Sequence, residues 1–422
     1  MRVHFSDPTF DYQTLRAMAY TTYRGAEPGE CLATVDRIDG VDFEAWYTEW
    51  RRTADRVAVA GEYAVAGDHD ETARDAFFRA HNYYRTAEFF LDGDDSRRVP
   101  TYERSRKAFR RALDYLDASV EQVEIPYEET TLPGYLFTPA VESGGDDGDG
   151  DGDGDGDGDS NGDSAAGDTE RPTVVCLGGF DSLAEELYFL CGVPAALERG
   201  YTCFIFDGPG QGAPLRLEGM KARTDWENVL GPVLDVLVDD PRVDAGRIGV
   251  VGASMGGYYA PRAAAFDDRI AAVVAFDHCF DLWDAAAEGQ ERVAALIDHA
   301  PGFLVNALAS LGTRFDAGSR WRMENSRWVF GTDAANLRRT LREYSLRDVA
   351  DRITCPTLAL AGEDDHLIPL SLVYEFADAV AGPTTTRVFT TDEGAGEHCQ
   401  VGNLSLAHGE IYDWLDETLA TG

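Results

Sequence analysis

Apolar residues follow three rhythms along the 422-residue chain, and each predicts a different kind of structure. Up to about Ser119 they recur every three or four positions, as in RDAFFRAHNYYRTAEFFL, which is typical of amphipathic helices. Two short runs, VEQVEIPYEE and LPGYLFTP, are rich in β-branched and aromatic residues and predict a pair of hairpin strands. From Pro172 onward, apolar runs alternate with segments of helix length.

This last rhythm predicts a doubly wound, mostly parallel sheet. Its strands are expected at TVVCLG, TCFIFD, RIGVVG, AAVVAFD, TLALAG and TRVFTT. Helices are expected at 185–199, closed by Gly200, at about 225–238, and from Ser254, Ser371 and Ser405. The predicted fold class is therefore α/β, preceded by an all-helical segment.

The same patterns divide the chain into two predicted domains, a helical one at 1–119 and an α/β one at 120–422. Within the second, the Asp/Gly-rich stretch 142–170 has no residue that could build a core, so we expect a disordered insert. A longer interval at about 282–350 separates the fourth and fifth strands of the parallel sheet. Such an interval lies over the carboxyl ends of the strands, where ligands bind, and we expect it to form a lid.

Charge excludes several classes of partner. The chain has 76 acidic and 37 basic residues, a net charge of -39, and only two of the basic residues are lysines, Lys107 and Lys221. Such a field repels nucleic acid and anionic membranes, and it resembles the acidic surfaces of proteins from salt-adapted organisms. No apolar run is long enough for a membrane span and no signal-peptide pattern begins the chain, so a cytoplasmic location is expected.

The seven cysteines are scattered and form no C-x-x-C pair. This spacing argues against a disulfide framework and against a structural zinc site, and the apolar residues around most of them favour buried thiols. We expect neither a metal nor a cofactor.

The strongest chemical signal is GASMG at 252–256, a G-x-S-x-G motif between a predicted strand and an alanine-rich helix. In this setting the motif forms a nucleophile elbow, which presents the serine above the sheet. Ser254 is therefore the candidate nucleophile. Its oxyanion donors would be the backbone N–H of Met255 and that of Phe180, which follows two glycines after an early strand.

A serine nucleophile needs a base, and the base needs an acid to orient it. Asp365 lies on the loop after the next-to-last strand, in the frame G-x-x-D-x-x-x-P, with Asp364 as the competing neighbour. His398 follows the last strand in a glycine-flanked loop, whereas His408 falls in or near the last helix, where a surface histidine is expected. The predicted order is thus Ser254, Asp365, His398.

The loop FDGPGQGAP also fits the G-x-G-x-x-A spacing of a dinucleotide-binding turn. Pro209 and Pro214 remove N–H donors that a pyrophosphate would need, and we expect no helix to begin at the glycines. The loop is instead predicted to line the pocket floor or to brace Phe180.

In combination, LGGFDSLAEEL, FDGPGQG, GASMGGYYA, GEDDHLIPLS and GEHCQVGN resemble the α/β-hydrolases, and more closely the group of 2,6-dihydroxypseudooxynicotine hydrolase and the fermentation/respiration switch proteins. The resemblance implies a serine hydrolase in which the amino-terminal helices form a cap over the site. One member of the group cleaves a carbon-carbon bond beside a ketone and has an extra active-site acid. Asp277, Asp281 and Asp284 are the candidates for that acid in this chain.

The expected activity is hydrolysis of a small to medium acyl compound, at an ester or at a carbon-carbon bond next to a ketone, through a covalent acyl-enzyme. The alternatives are a dipeptidyl-peptidase-like serine peptidase and a non-catalytic regulatory or binding protein with the same fold. A homodimer is possible on this sequence.

Overall fold

The computed structural model describes residues 1–140, 170–287, 301–302, 305–306 and 317–420. The predicted insert, apart from Glu170, and part of the predicted lid lie outside these residues. The chain begins with the predicted helical segment, whose helices are α1 (Pro8–Ala19), α2 (Pro28–Val35), α3 (Phe43–Ala66), α4 (Asp70–Glu88) and α5 (Arg98–Leu113).

Capping and aromatic packing explain these helices. Asp7 accepts hydrogen bonds from the first turn of α1, and Asp42 does the same for α3, so that donors left free at each helix start are satisfied. The apolar faces meet in a core where Phe10 stacks on Phe90 and packs edge-on against Trp46.

A single sheet follows. Within the described residues it has eight strands in the order β1-β2-β4-β3-β5-β6-β7-β8, in which β2 runs antiparallel to both of its neighbours, β1 and β4, and all other pairs are parallel. The strands are β1 (Ser119–Tyr127), β2 (Thr130–Thr138), β3 (Arg171–Leu177), β4 (Thr202–Phe206), β5 (Val243–Ala253), β6 (Ile270–Phe276), β7 (Thr357–Gly362) and β8 (Thr384–Phe389). The predicted hairpin and the predicted α/β fold class are both confirmed.

Helices cover both faces of the sheet: α6 (Ala184–Leu190), α7 (Val193–Glu198), α8 (Gly212–Glu218), α9 (Glu227–Val238), α10 (Gly256–Ala264), α11 (Leu282–Ala287), α12 (Ala317–Phe330), α13 (Ala334–Arg342), α14 (Leu370–Ala379) and α15 (Leu404–Leu419). Strand side chains alternate between the two cores: Val174 and Cys176 pack against α6, α7 and α15, whereas Val175 and Leu177 pack against α9, α10 and α14. Because the strands are buried on both faces of the sheet, they appear in the sequence as continuous apolar runs.

One predicted helix is wrong in its extent. The segment 185–199 forms two helices, because Gly192 between them adopts a left-handed φ of 68°. A Cβ at this position would lie 2.6 Å from Nδ1 of His408 on α15, so the break allows α15 to approach closely.

The prediction of buried thiols is confirmed, since six of the seven cysteines are buried and Cys355 is partly so. Among the described helices, none is both long and apolar enough to cross a bilayer.

Candidate active site

The nucleophile elbow lies between β5 and α10, as the motif predicts. Ser254 adopts a left-handed φ of 58°, which costs a non-glycine residue free energy and is typical of functional turns. Its N–H donates to the carbonyl of Phe276 at 2.8 Å, and its own carbonyl accepts from the N–H of Gly257 at 2.8 Å. A Cβ on Gly252 would lie only 2.0 Å from the carbonyl oxygen of Gly256, so this turn has no room for a side chain there.

Ser254, His398 and Asp365 come together at the carboxyl ends of β5, β8 and β7. Nε2 of His398 lies 2.9 Å from Oγ of Ser254, and Nδ1 lies 2.6 Å from Oδ2 of Asp365. The other carboxylate oxygen of Asp365 accepts the N–H groups of Leu367 and Ile368 at 2.7 and 3.1 Å, which fixes the direction of the acid. A carboxylate at Nδ1 favours the tautomer that carries its proton there and leaves Nε2 free to accept the serine proton.

The charges within this group are strongly coupled. Burial disfavours the imidazolium form of His398, but interactions with Asp365 and Cys399 together outweigh burial and raise the pKa of His398 well above its ordinary value. Burial likewise opposes the charge of Asp365, and His398 together with two backbone N–H groups lowers the pKa of Asp365 below its ordinary value.

Of the three candidates for an extra acid, only Asp277 approaches these residues. Its Oδ2 lies 3.8 Å from Nδ1 of His398, on the same side of the ring as Asp365. Asp281 and Asp284 form ion pairs with Arg347 instead, at 3.5 and 2.8 Å. The neighbour Asp364, which competed with Asp365 in the sequence, bonds to Thr391.

The loop after β3 passes directly beside the nucleophile. A Cβ on Gly179 would lie 3.0 Å from Cβ of Ser254 and 3.1 Å from the backbone nitrogen of Met255, so a side chain here would crowd the nucleophile. The N–H of Gly179 donates to Oγ of Ser182 within the same loop. Phe180 therefore follows a residue that touches both Ser254 and Met255.

The FDGPGQG loop braces this neighbouring loop. Nε2 of Gln211 donates to the carbonyls of Gly178 and Gly179 at 2.6 and 3.3 Å, while its Oε1 accepts the N–H of Gly208. This contact confirms that the loop braces its neighbour; Gln211 belongs to the FDGPGQG motif, but the sequence assigned its side chain no role.

The expectation that no helix begins at these glycines is wrong, because α8 begins at Gly212. Pro214 falls in the first turn of the helix, where a missing N–H is tolerated. The buried carboxylate of Asp207 accepts the N–H groups of Ala184 and Ala213 at 2.7 and 3.1 Å, so the N–H of Ala213 at the start of α8 already has a partner. Burial and the neighbouring Glu185 raise the pKa of Asp207 to about 7.

The amino-terminal helices contact the site through α1. The hydroxyl of Tyr12 donates to the carbonyl of His398 at 3.1 Å. Arg16 forms ion pairs with Asp181 at 2.8 Å and with Glu186 at 2.9 Å, and it thereby ties α1 to the loop that follows Phe180. Burial opposes the charge of Asp181, but the cations Arg16 and Arg85 lower its pKa.

Aromatic side chains of α12 cover the same loop. Trp321 meets Phe180 edge-on with ring centroids 6.0 Å apart, and Phe330 lies 5.6 Å from it. On its other side Trp321 stacks on Phe89, at the end of α4. The part of the predicted lid that the structure describes therefore joins the amino-terminal helices above the site.

His408 is not the surface histidine expected from its helix. It is buried, with Nδ1 2.8 Å from the hydroxyl of Tyr23 and Nε2 2.9 Å from the carbonyl of Leu190. Burial lowers the pKa of His408 to about 4. The helical pattern could not reveal this, because the contacts come from Tyr23, in the turn after α1, and from Leu190 at the end of α6, which are both distant in sequence.

Asp277, His398 and Cys399 bring an oxygen, a nitrogen and a sulfur within 4.8 Å of one another. These residues do not fit a metal site well, because both nitrogens of His398 already face Ser254 and Asp365, and Asp277 accepts the N–H of Cys399.

Comparison with known families agrees with this geometry. The profile of the alpha/beta hydrolase family matches residues 174–405, which is more than half of the chain. The chain belongs to the α/β-hydrolase family. The match extends from β3 to the start of α15 and therefore includes Phe180, Ser254, Asp365 and His398.

Relatives and solved structures match this α/β-hydrolase over nearly its whole length. It is 35% identical to the Hydrolase acrC of Aspergillus aculeatus, with 97% of this chain and 96% of that protein aligned. It is 34% identical to the 20-hydroxy-prefusarin hydrolase FUS2 of Gibberella moniliformis, over 99% of this chain and 98% of that one. The structure of the 2,6-dihydroxy-pseudo-oxynicotine hydrolase superposes with a TM-score of 0.71 and 25% identity, covering 96% of both chains. These matches include the amino-terminal helices and identify the protein as a hydrolase.

Proposed function

We propose that this hydrolase is a serine hydrolase that forms an acyl-enzyme on Ser254. The observation that carries the proposal is the continuous hydrogen-bonded chain from Oγ of Ser254 through the imidazole of His398 to the carboxylate of Asp365, with separations of 2.9 and 2.6 Å. Nucleophile, base and orienting acid in this arrangement are the parts that acyl transfer requires.

In the proposed reaction, His398 takes the proton of Ser254 as Oγ attacks the carbonyl carbon of the substrate. The backbone N–H groups of Phe180 and Met255 stabilise the resulting oxyanion, and the amino terminus of α10 adds a favourable dipole. His398 then gives its proton to the leaving group, and the acyl group stays on Ser254. Water, activated by the same imidazole, releases the acid.

The surroundings of Ser254 favour an apolar acyl group of small to medium size. Phe180, Trp321 and Phe330 cover the loop beside the nucleophile, and α1 closes the side of His398. Aromatic side chains around a site favour apolar or aromatic ligands. No step of this reaction needs a metal or a cofactor.

The bond to be cleaved is an ester or a carbon-carbon bond next to a ketone. Both leave an acyl group on the serine, but carbon-carbon cleavage also requires protonation of a carbanion-like leaving group. The similarity to the 2,6-dihydroxy-pseudo-oxynicotine hydrolase extends over 96% of both chains and supports including the second reaction.

A fluorophosphonate probe tests the nucleophile without knowledge of the substrate. We expect covalent labelling of the wild-type protein and none of Ser254→Ala, with mass spectrometry locating the adduct on Ser254. Ser405→Ala is the matched control, because Ser405 is exposed on α15 and has no part in the proposed reaction. Equal labelling of the wild type and Ser254→Ala would refute the proposal.

A substrate panel distinguishes the two bonds. Hydrolysis of p-nitrophenyl esters of increasing acyl length reports on ester cleavage, and loss of the enol absorbance of β-diketones reports on carbon-carbon cleavage. Labelling by the phosphonate without turnover in either series would favour the non-catalytic alternative.

A further inference from the structure

Asp277 is a buried carboxylate beside the proposed catalytic group that the mechanism above does not use. It follows β6, adopts a left-handed φ of 50°, and has a side chain with no exposed surface. Asp365 follows the adjacent strand β7, so the two carboxylates approach His398 from neighbouring strands. Oδ2 of Asp277 lies 3.8 Å from Nδ1 of the histidine, against 2.6 Å for Asp365.

Asp277 also holds the chain that carries the histidine. Its Oδ2 accepts the backbone N–H of Cys399, and Nε2 of Gln400 donates to both carboxylate oxygens at 3.0 Å. Cys399 and Gln400 adopt left-handed φ values of 50° and 44°, which are unfavourable for residues with side chains. The carboxylate thus supplies hydrogen bonds to a strained turn immediately after His398.

A second carboxylate at this distance has an electrostatic effect as well. Burial, followed by the charge of Asp365, raises the pKa of Asp277 to about 7, whereas a positive His398 favours its ionised form. The thiol of Cys399 is the other titratable group beside it, and burial raises the pKa of that thiol. The ionised form of Asp277 and the imidazolium of His398 therefore stabilise each other.

We propose that Asp277 is a positioning residue for His398. It holds the left-handed turn at Cys399 and Gln400, and it provides a second negative charge that partly replaces the charge of Asp365 when that residue is lost. To take the place of Asp365, Oδ2 of Asp277 has to move by about 1 Å to reach hydrogen-bond distance from Nδ1 of His398. The inference rests on the proposed serine hydrolase function.

The test is a double-mutant cycle on the second-order rate of fluorophosphonate labelling. Asp277→Asn keeps the size of the side chain and removes its charge, and Asp365→Asn does the same for the first acid. We expect Asp277→Asn to slow labelling roughly tenfold in the wild-type background, the effect of one charge near the imidazolium. In the Asp365→Asn background we expect a larger loss, on the order of a hundredfold, because a triad without any carboxylate loses about 10⁴ in rate.

A pH profile separates the charge from the hydrogen bonds. Without Asp277 the imidazolium is less stabilised, so the acid limb of the labelling rate should move to lower pH in Asp277→Asn. Gln400→Met is the matched control, because it removes two hydrogen bonds to the carboxylate and keeps the carboxyl group itself. It should slow labelling while shifting the acid limb less than Asp277→Asn does.

Any one of three results overturns the inference. The first is labelling of Asp277→Asn at the wild-type rate, and the second is a loss of rate from Asp277→Asn in the Asp365→Asn background that is no larger than in the wild-type background. The third is an acid limb of Asp277→Asn at the same pH as that of the wild type. If the wild type itself is labelled no faster than Ser254→Ala, the proposed function fails, which is distinct from a failure of the role of Asp277.

Discussion

The imidazole of His398 can act as a base only while it is neutral, and its surroundings set the pH range in which that holds. Interactions with Asp365 and Cys399 together outweigh burial and raise the pKa of His398 above its ordinary value of about 6.5. The neutral form, and with it the acylation rate, is therefore lost as the pH falls through this raised pKa. We expect the midpoint of the acid limb of fluorophosphonate labelling to lie above pH 6.5.

In Asp365→Asn the surviving activity should show a midpoint at lower pH, because the main charge that stabilises the imidazolium is gone. Tryptophan fluorescence across the same pH range serves as the control, since it reports unfolding separately from protonation of the base. A wild-type midpoint well below 6.5, in protein that remains folded, would contradict the electrostatic argument.

At the scale of elements, the elbow between β5 and α10 depends on the absence of side chains. A Cβ on Gly252 would meet the carbonyl oxygen of Gly256 at 2.0 Å, and the backbone at neither residue can move aside without displacing β5 or α10. We expect Gly252→Ala to lower the free energy of unfolding by at least about 2 kcal/mol, the range of core overpacking. Urea denaturation measures this change.

Gly409→Ala is the matched control for that substitution. Gly409 lies within α15, and a Cβ there would have no atom within 4 Å. Because alanine favours the helix over glycine, this variant should be more stable by up to about 1 kcal/mol. Similar unfolding curves for the two alanine variants would show that the elbow tolerates a side chain.

The hydrogen bonds of Gln211 lead to a second prediction at the scale of elements. Gln211→Met removes the bonds to the carbonyls of Gly178 and Gly179 and frees the loop that carries Phe180. Since loss of one oxyanion donor costs about 10²–10³ in kcat, a donor that is only loosened should cost roughly tenfold, with little change in KM. Hydrolysis of p-nitrophenyl butyrate measures both constants.

Gln122→Met, on the exposed face of β1, controls for the substitution itself and should leave both constants unchanged. If Gln211→Met raised KM and left kcat unchanged, the loop would contribute to substrate binding and not to stabilisation of the oxyanion.

Which elements the sequence could predict depends on how local their causes are. Apolar runs and the G-x-S-x-G spacing are local, and they were sufficient for the strands and for the order of Ser254, Asp365 and His398 along the chain. The break at Gly192 and the burial of His408 share one distant cause, the close approach of α15, which no window of sequence contains. Asp277 could be proposed only as one of three acids, because its distance from His398 depends on how β6 and β7 pair.

At the scale of the whole molecule, the amino-terminal helices and the sheet share the site. On α1, Tyr12 donates to the carbonyl of His398, and Arg16 forms an ion pair in the loop after Phe180. Trp321 on α12 contacts both Phe180 and the end of α4. The alignment of relatives along almost the entire chain is consistent with this joint construction. The predicted boundary at residue 119 remains a prediction.

The net charge of -39 leads to the last prediction, which concerns salt. Self-repulsion destabilises a compact chain of this charge, and salt reduces the range of that repulsion from about 10 Å at 0.1 M to about 3 Å at 1 M. We therefore expect the free energy of unfolding in urea to rise with KCl concentration. Most of the gain should come below about 1 M, where the screening length changes fastest.

A variant with fewer surface charges tests whether repulsion is the cause. Five exposed acidic residues are replaced by their amides in this variant: Asp39, Glu71, Asp117, Asp378 and Glu417. With less repulsion to screen, it should be more stable than the wild type at 0.1 M KCl and should gain less as salt is added. An equal gain in both proteins would point to a general effect of salt on apolar burial, and stability of the wild type that does not change with KCl would refute the argument from charge.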